Sequence, residues 1–170
     1  MPLFRETGIV EDPWLKLADA AAVPSDGMVL VSFARWREAR AALLARRGPV
    51  GVALSNTDPV ESLASDTARL DLIALHFPKF SDGRAYSQAR LLRERLGYQG
   101  ELRAIGGVLQ DQLPFMLRCG FDSFESDQKG FAEALAKART LFSVVYQPAE
   151  DDRAPASLLR LSRRNVETTV

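Results

Sequence analysis

Polar and basic side chains follow directly on the apolar run LDLIALHF, where a predicted strand gives way to a predicted helix. Lys79 and Arg84 flank the end of this run, and Arg84, Ser87 and Arg90 recur at intervals of three residues. Residues at this spacing lie along one side of a helix, where guanidinium groups can hold a tetrahedral oxyanion such as sulfite, sulfate or phosphate. The spacing predicts an anion-binding cluster, to which Arg103 adds a further positive group, although each residue alone also fits a solvated surface.

A second polar segment follows the next apolar run, ELRAI. Gly106 and Gly107 stand between this run and a predicted helix, where backbone without side chains and unpaired N–H groups suit a phosphate or sulfate group. A tight turn that needs glycine conformations explains the same pair, and two glycines do not make a dinucleotide-binding fingerprint. If both runs are parallel strands, the two loops lie side by side at the sheet edge where α/β proteins bind ligands.

Candidates for acid–base chemistry lie near the same strand ends. Asp82 and Asp111 could form a proton-transfer pair, and His76 is the only histidine and closes the run LDLIALHF. Helix capping by the two aspartates and a hydrogen-bonded structural role for the histidine are the simpler interpretations. Since His76 has no second histidine or cysteine at ligand spacing, we expect no metal site.

The composition is that of an ordinary globular protein. The chain has 170 residues, 46% of them hydrophobic, and its 22 Lys and Arg balance its 22 Asp and Glu. This balance gives no reason to expect nucleic-acid or anionic-membrane binding. Cys119 is the only cysteine, so the chain alone can form no internal disulfide and hold no iron–sulfur cluster, and its predicted place at a helix C-terminus favours an inert core thiol. With no secretory signal and no apolar run of about 18 residues, we expect a cytoplasmic protein.

Strand and helix patterns alternate along residues 28–147, which predicts one α/β domain. The sheet is expected to be mainly parallel, as a partial barrel of βα units or as an open doubly wound sheet, because a complete eight-unit barrel needs about 250 residues. Residues 1–27 are expected to form an arm or short strand and residues 148–170 a loose tail, and exposed sheet edges make a homodimer reasonable. The predicted strands are 28–33, 50–54, 70–77, 101–105, 121–126 and 142–147, and the predicted helices are 34–48, 60–64, 82–97, 109–120 and 130–141.

The five phenylalanines between residues 77 and 124 are expected to fill the core, because buried rings dominate packing energetics. They are Phe77, Phe80, Phe115, Phe121 and Phe124.

The segment FPKFSDGRAYSQARLLRERLGYQGELRAIGGVLQDQLPFMLRCGFDSFE resembles the signature of a bacterial family, domain of unknown function 934. The resemblance is strongest over residues 73–125 and looser over residues 50–147. Members of this family are commonly encoded beside sulfite reductase, and the family carries the label of a sulfite-reduction oxidoreductase. The resemblance therefore implies an accessory protein of assimilatory sulfate and sulfite reduction, which binds a sulfur oxyanion or docks on sulfite reductase. It implies no particular catalytic residues.

Two other functions also fit the residues. The phrase RAIGGVLQDQLPFMLRCGFDSFE is similar to the second half of a phosphate-binding barrel, which predicts a small enzyme that holds phosphate at Gly106 and Gly107. Asp82, Asp111 or His76 would then transfer the proton. An oxidoreductase is the third hypothesis, but redox chemistry needs a carrier and no nicotinamide, flavin or haem motif is visible, so we expect no cofactor.

Overall fold

A single eight-stranded sheet organises the computed structural model, which describes residues 1–141, 145, 146, 149 and 155–159. The strands are β1 (Leu3–Arg5), β2 (Gly8–Val10), β3 (Leu15–Lys16), β4 (Val29–Ser32), β5 (Val50–Leu54), β6 (Leu72–Phe77), β7 (Glu101–Gly106) and β8 (Ser123–Glu125). The α-helices are α1 (Phe33–Leu44), α2 (Arg84–Arg90), α3 (Leu113–Arg118) and α4 (Phe131–Thr140). Short 3₁₀ turns cover Val60–Leu63, Thr67–Arg69 and Gln110–Gln112, and a π-helical turn, Leu91–Arg95, extends α2.

The strand order across the sheet is β2-β1-β8-β7-β6-β5-β4-β3. Strands β3 to β8 are parallel and follow one another in sequence order, whereas β1 pairs antiparallel with both β2 and β8. A doubly wound sheet requires the strand order to reverse, and here it never does. When right-handed crossovers join successive parallel strands and all advance in the same direction across the sheet, the helices lie on one face and the sheet can curl. The predicted mainly parallel α/β fold is confirmed, in its half-barrel form.

Strand β6 shows why an unbroken apolar run forms a central strand. Its residues are buried on both faces of the sheet: Ile73 and Leu75 belong to the core beneath the helices, and Leu72 and Ala74 belong to a smaller cluster on the concave face. All four are 0% exposed. Full burial of a leucine or isoleucine side chain contributes about 1.5–3 kcal/mol, so β6 anchors both layers.

The N-terminal segment spans the concave face from one edge of the sheet to the other. Its first two strands extend the edge beside β8, and β3 extends the opposite edge beside β4. Between them Trp14 packs on Leu30, Leu72 and Ala74. Gly51 makes room for the indole, because a Cβ at this position would lie 3.1 Å from the ring of Trp14 and 2.9 Å from Leu72 Cβ.

An ion-pair network on the concave face ties this segment to the sheet. Arg103, fully buried, contacts Glu101 at 3.0 Å, Asp12 at 3.0 Å and Glu125 at 3.3 Å. Lys16 contacts Glu125 at 2.6 Å, and Arg5 pairs with Glu101. Burial alone would lower the pKa of Arg103, but Glu101 and Asp12 outweigh it and raise the pKa above its ordinary value. Arg103 therefore belongs to a buried ion-pair network and is not part of a surface anion cluster.

Between residues 28 and 141 each predicted strand and helix has an observed counterpart, although α1 ends at Leu44 and the predicted helix 60–64 is a 3₁₀ turn. The predicted helix 109–120 is divided into a 3₁₀ turn and α3, and Pro114 occupies the first turn of α3, where its missing N–H does little harm. The predicted strand 142–147 and tail 148–170 lie largely outside the described residues, within which Val145 bridges to Pro155 and residues 156–159 are helical. None of the helices that the structure describes has the length and apolar character required to span a bilayer.

Candidate functional site: the loop rim

The loops that follow β5 and β6 are joined by side-chain hydrogen bonds at the carboxyl ends of the parallel strands. The amide of Asn56, after β5, donates a 2.5 Å hydrogen bond to Asp82, after β6. The amide of Gln112, after β7, donates a 3.0 Å hydrogen bond to the carbonyl oxygen of Phe80. These hydrogen bonds connect the loops after β5, β6 and β7 and so fix the positions of the three loops relative to one another.

A second pair of glutamines extends the connection to the loop after β8. Gln110 donates a 2.7 Å hydrogen bond to the carbonyl oxygen of Lys129, and Gln128 donates one of 3.3 Å to that of Val108. We call the four joined loops, together with the start of α2 and the first turn of α3, the loop rim; it comprises residues 55–59, 78–84, 107–115 and 126–130. The spacing of polar residues at the strand ends predicted no role for these amide side chains. The signal that could have found them is their position in the loops that follow the predicted strands, two to seven residues after the predicted strand ends.

Asp82 and Arg84 form a paired unit at the start of α2. Arg84 donates from Nε and Nη2 to the two carboxylate oxygens of Asp82 at 3.0 and 2.6 Å, and its backbone N–H donates to the same carboxylate at 3.2 Å. These bonds from Arg84 are the main cause of the low pKa of Asp82, about 2. The N-cap of α2 is Gly83, which has no side-chain capping hydrogen bond, so Asp82 does not cap the helix as predicted and instead accepts the N–H of Arg84, the first residue of α2.

The other predicted anion-binding side chains lie on the same loop and helix. Lys79, Ser87 and Arg90 are exposed, as is Arg84, whose side chain is 59% exposed. Arg90 donates to the carboxylate of Glu94 one turn later, with an Nε–Oε1 distance of 2.7 Å. The structure places Lys79 on the loop before α2 and Arg84, Ser87 and Arg90 at intervals of three residues along α2. Both guanidinium groups, however, already face a carboxylate, which reduces their attraction for a free anion.

Gly106 and Gly107 press the loop after β7 against the end of β6. Gly106 has a φ of +88°, and a Cβ there would lie 2.6 Å from the carbonyl oxygen of Phe77 and 2.8 Å from Nε2 of His76. The N–H of Gly107 donates to Phe77 O at 2.7 Å, and the N–H of Val108 donates to Gly106 O at 2.9 Å. Gly106 and Gly107 therefore form a tight turn, as in the simpler interpretation. The N–H groups of Gly107 and Val108 are both bonded to backbone carbonyl oxygens.

The acid–base candidates are not brought together as a set. His76 is half-buried on the concave face against Gly106, and Asp111 is exposed on the 3₁₀ turn after β7. Asp82 is held ionised by Arg84 and also accepts from Asn56, so it is not disposed to take up a proton near neutral pH. Within the described part of the chain, no three His, Cys, Asp or Glu side chains are grouped so as to hold a metal ion.

Two of the five predicted core phenylalanines are exposed at the rim. Phe80 is 67% exposed and Phe115 is 56% exposed, so the expectation that both fill core is wrong. Phe115 packs on Tyr86 at a ring-centroid distance of 4.8 Å, and Tyr86 packs on the buried Phe77 at 5.1 Å. Burial is the main cause that raises the pKa of Tyr86 to about 12, so its hydroxyl stays neutral. The remaining predicted core rings, Phe121 and Phe124, are buried.

The sheet and its rim define an α/β half-barrel protein. Residues 51–157 match the model of the family described as "Bacterial protein of unknown function (DUF934)". This match takes in more than half of the chain, so the protein belongs to that family, and it includes the whole loop rim. No curated protein and no solved structure matches the chain.

Proposed function

We propose that the protein is a cytoplasmic accessory protein of assimilatory sulfate and sulfite reduction that docks on sulfite reductase through the loop rim. The pathway is supported by membership of a family whose genes commonly stand beside those of sulfite reductase. Docking is supported by one observation above the others: Phe80, on the loop after β6, and Phe115, in the first turn of α3, expose their rings, and a hydrogen bond from Gln112 joins the two segments.

Exposed aromatic rings on a fixed backbone are the usual anchors of protein interfaces. Phenylalanine and other aromatic residues are enriched at interfaces, and a few residues of this kind carry most of the binding free energy. Phe115 is supported from below by Tyr86, and the backbone of Phe80 is fixed by Gln112. A surface ordered before contact loses little conformational entropy on binding, which favours affinity.

Exposed charged side chains lie on the loop that carries Phe80 and on α2, whose Tyr86 contacts Phe115. Lys79, Arg84 and Arg90 are exposed along the loop after β6 and along α2. Exposed ion pairs such as Arg84 with Asp82 contribute little to folding, but charges around an apolar centre set the rate and the specificity of association. Exposed aromatic rings together with charged side chains on neighbouring segments are the composition of a protein-binding surface.

Docking accounts for the rim better than oxyanion binding or catalysis does. The guanidinium groups of Arg84 and Arg90 are balanced by carboxylates, and the N–H groups of Gly107 and Val108 are bonded to carbonyl oxygens. A phosphate-binding enzyme would need these groups for its ligand. The same contacts make the rim a fixed surface, which a docking protein needs.

The test is binding of the purified protein to purified sulfite reductase, measured by titration calorimetry. We expect saturable binding, and no turnover by the accessory protein alone. The double variant Phe80→Ser, Phe115→Ser should weaken the affinity at least tenfold, a loss of about 1.4 kcal/mol of binding free energy. Leu15→Ser is the matched control, because Leu15 is 54% exposed on β3 and pairs with the first residue of β4, at the end of the sheet opposite the rim. Absence of binding by the wild-type protein, or equal binding by the double variant, would contradict the proposal.

A further inference from the structure

A cleft at the opposite end of the sheet from the loop rim gathers three arginines. It lies between the C-terminus of α1, the turn that leads into β5 and the segment that leads into β6, and it has a volume of about 230 Å³. Its charged lining residues are Arg46, Arg47, Arg69 and Asp71. We propose that this arginine cleft binds a phosphate or sulfate group, either as the free oxyanion or as the terminal group of an ester. The proposal is independent of docking at the rim.

Arg46 supplies a fixed positive charge. Its guanidinium donates to four backbone carbonyl oxygens at 2.9–3.3 Å, those of Pro24, Asp26, Gly27 and Pro49. Four of its five N–H donors are used in this way, and each acceptor is a neutral carbonyl. Arg46 therefore cannot turn towards another partner, yet its charge is not cancelled by a carboxylate. The turn that it holds forms one wall of the arginine cleft.

Arg47 and Arg69 supply the free donors. Arg69 donates from Nη2 to the carbonyl oxygen of Leu44 at 3.0 Å, which satisfies an end carbonyl of α1. Most of the N–H donors of the Arg69 guanidinium remain available to a ligand. Arg47 is exposed and makes no hydrogen bond or ion pair with any residue that the structure describes. The planar fork of arginine matches two oxygens of a phosphate or sulfate group at once.

The nearby carboxylates do not balance these charges. Asp71 lines the cleft, and its Oδ2 accepts the N–H of Val50 at 3.2 Å. Asp26 lies in the depression next to the cleft and accepts a hydrogen bond from Ser25. Three guanidinium groups thus face at most two carboxylates, neither of them in an ion pair with an arginine within the described residues. At the rim, by contrast, Arg84 is directly bonded to a carboxylate.

The space suits an oxyanion with part of its water shell. A volume of about 230 Å³ is several times the roughly 30 Å³ that one water molecule occupies in the liquid. The cleft is open on one side, so a phosphate or sulfate group could enter either alone or at the end of a larger molecule. Inorganic phosphate, sulfate and a phosphate monoester are therefore the three probes that distinguish the sources.

The experiment is a titration of ¹⁵N-labelled protein with each probe, followed by amide chemical shifts and compared with sodium chloride at equal ionic strength. We expect phosphate or sulfate to shift the amide signals of Gly48 and Val50, which line the cleft. Arg47→Gln should weaken the affinity at least tenfold without loss of folding, because Arg47 holds no other residue in place. Asp71→Asn should strengthen it, since an amide oxygen can still accept from Val50. Arg84→Gln, at the rim, is the matched control and should leave the affinity unchanged.

Three results would overturn the proposal. One is a response to chloride equal to the response to phosphate and sulfate, and another is equal affinity of the wild-type protein and the Arg47→Gln variant. The third is a loss of affinity in Arg84→Gln alone, with shifts at Gly107 in place of Gly48, which would move the site to the rim. A larger affinity for the monoester than for the free ions would identify an ester as the ligand.

Discussion

Arg103 and Asp12 lie 91 positions apart in sequence, and their side chains meet at 3.0 Å on the concave face of the sheet. The guanidinium is fully buried, and the contact joins the N-terminal segment to the middle of β7. The ion pair thus fastens the segment that crosses the face to the strands that form it. It also places a charged side chain where a closed barrel would contain packed apolar layers.

Replacement of Arg103 by methionine is expected to destabilise the fold strongly. The variant leaves Glu101 and Glu125 buried without their common partner, and removal of one member of a buried ion pair costs about 3–5 kcal/mol. Arg5→Met is the control, because Arg5 also pairs with Glu101 but is 44% exposed, and exposed pairs contribute about 1 kcal/mol or less. Urea unfolding measures both. Equal losses in the two variants would show that burial does not determine the strength of this network.

The pKa of Asp82 should depend on Arg84. In the folded protein it lies at about 2, below its ordinary value of 3.8, so the group favours the folded state above pH 3.8 and loses that contribution as the pH falls towards 2. We expect Arg84→Gln to raise the Asp82 midpoint towards 3.8, as followed by the carboxyl chemical shift. Arg90→Gln, which alters the next cation along α2, should leave the midpoint unchanged. An unaltered midpoint in Arg84→Gln would assign the low pKa to another cause.

Gly106 should tolerate alanine poorly. A left-handed φ alone costs an alanine about 1 kcal/mol, and at Gly106 the new Cβ would also lie 2.6 Å from the carbonyl oxygen of Phe77. We expect Gly106→Ala to lose about 3 kcal/mol of unfolding free energy. Gly97→Ala is the matched comparison, because Gly97 has a φ of +62° and nothing within 4 Å of an added Cβ. If both variants lose the same amount, the close approach of the two loops does not matter for stability.

The sequence was informative where burial determines the pattern. The run LDLIALHF alternates between two buried faces, so its hydrophobicity is nearly continuous and β6 could be predicted. The short strands β1, β2 and β3 have no such pattern, because they are two or three residues long and lie at the edges of the sheet or next to one. Their pairing depends on backbone hydrogen bonds, which side-chain patterns do not report.

The candidate site was predictable in position and less so in chemistry. Alternation of strands and helices was sufficient to bring the ends of β6 and β7 together, and the contact of Gly107 with Phe77 follows from it. The sequence does not reveal which carboxylate neutralises Arg84, or that Phe80 is exposed when Phe77 is buried. Those properties depend on side-chain packing between segments far apart in the chain.

The antiparallel pairing of β1 with β8 has a consequence for biosynthesis. Leu3 is aligned with Glu125, so β1 cannot complete its pairing until more than a hundred later residues have been made. Contacts between such distant positions slow folding, because the entropy of closing the intervening loop is lost before they form. A nascent chain cut short before β8 would therefore keep an unmatched N-terminal edge that other polypeptides could bind, which makes this region a natural place for chaperones to act.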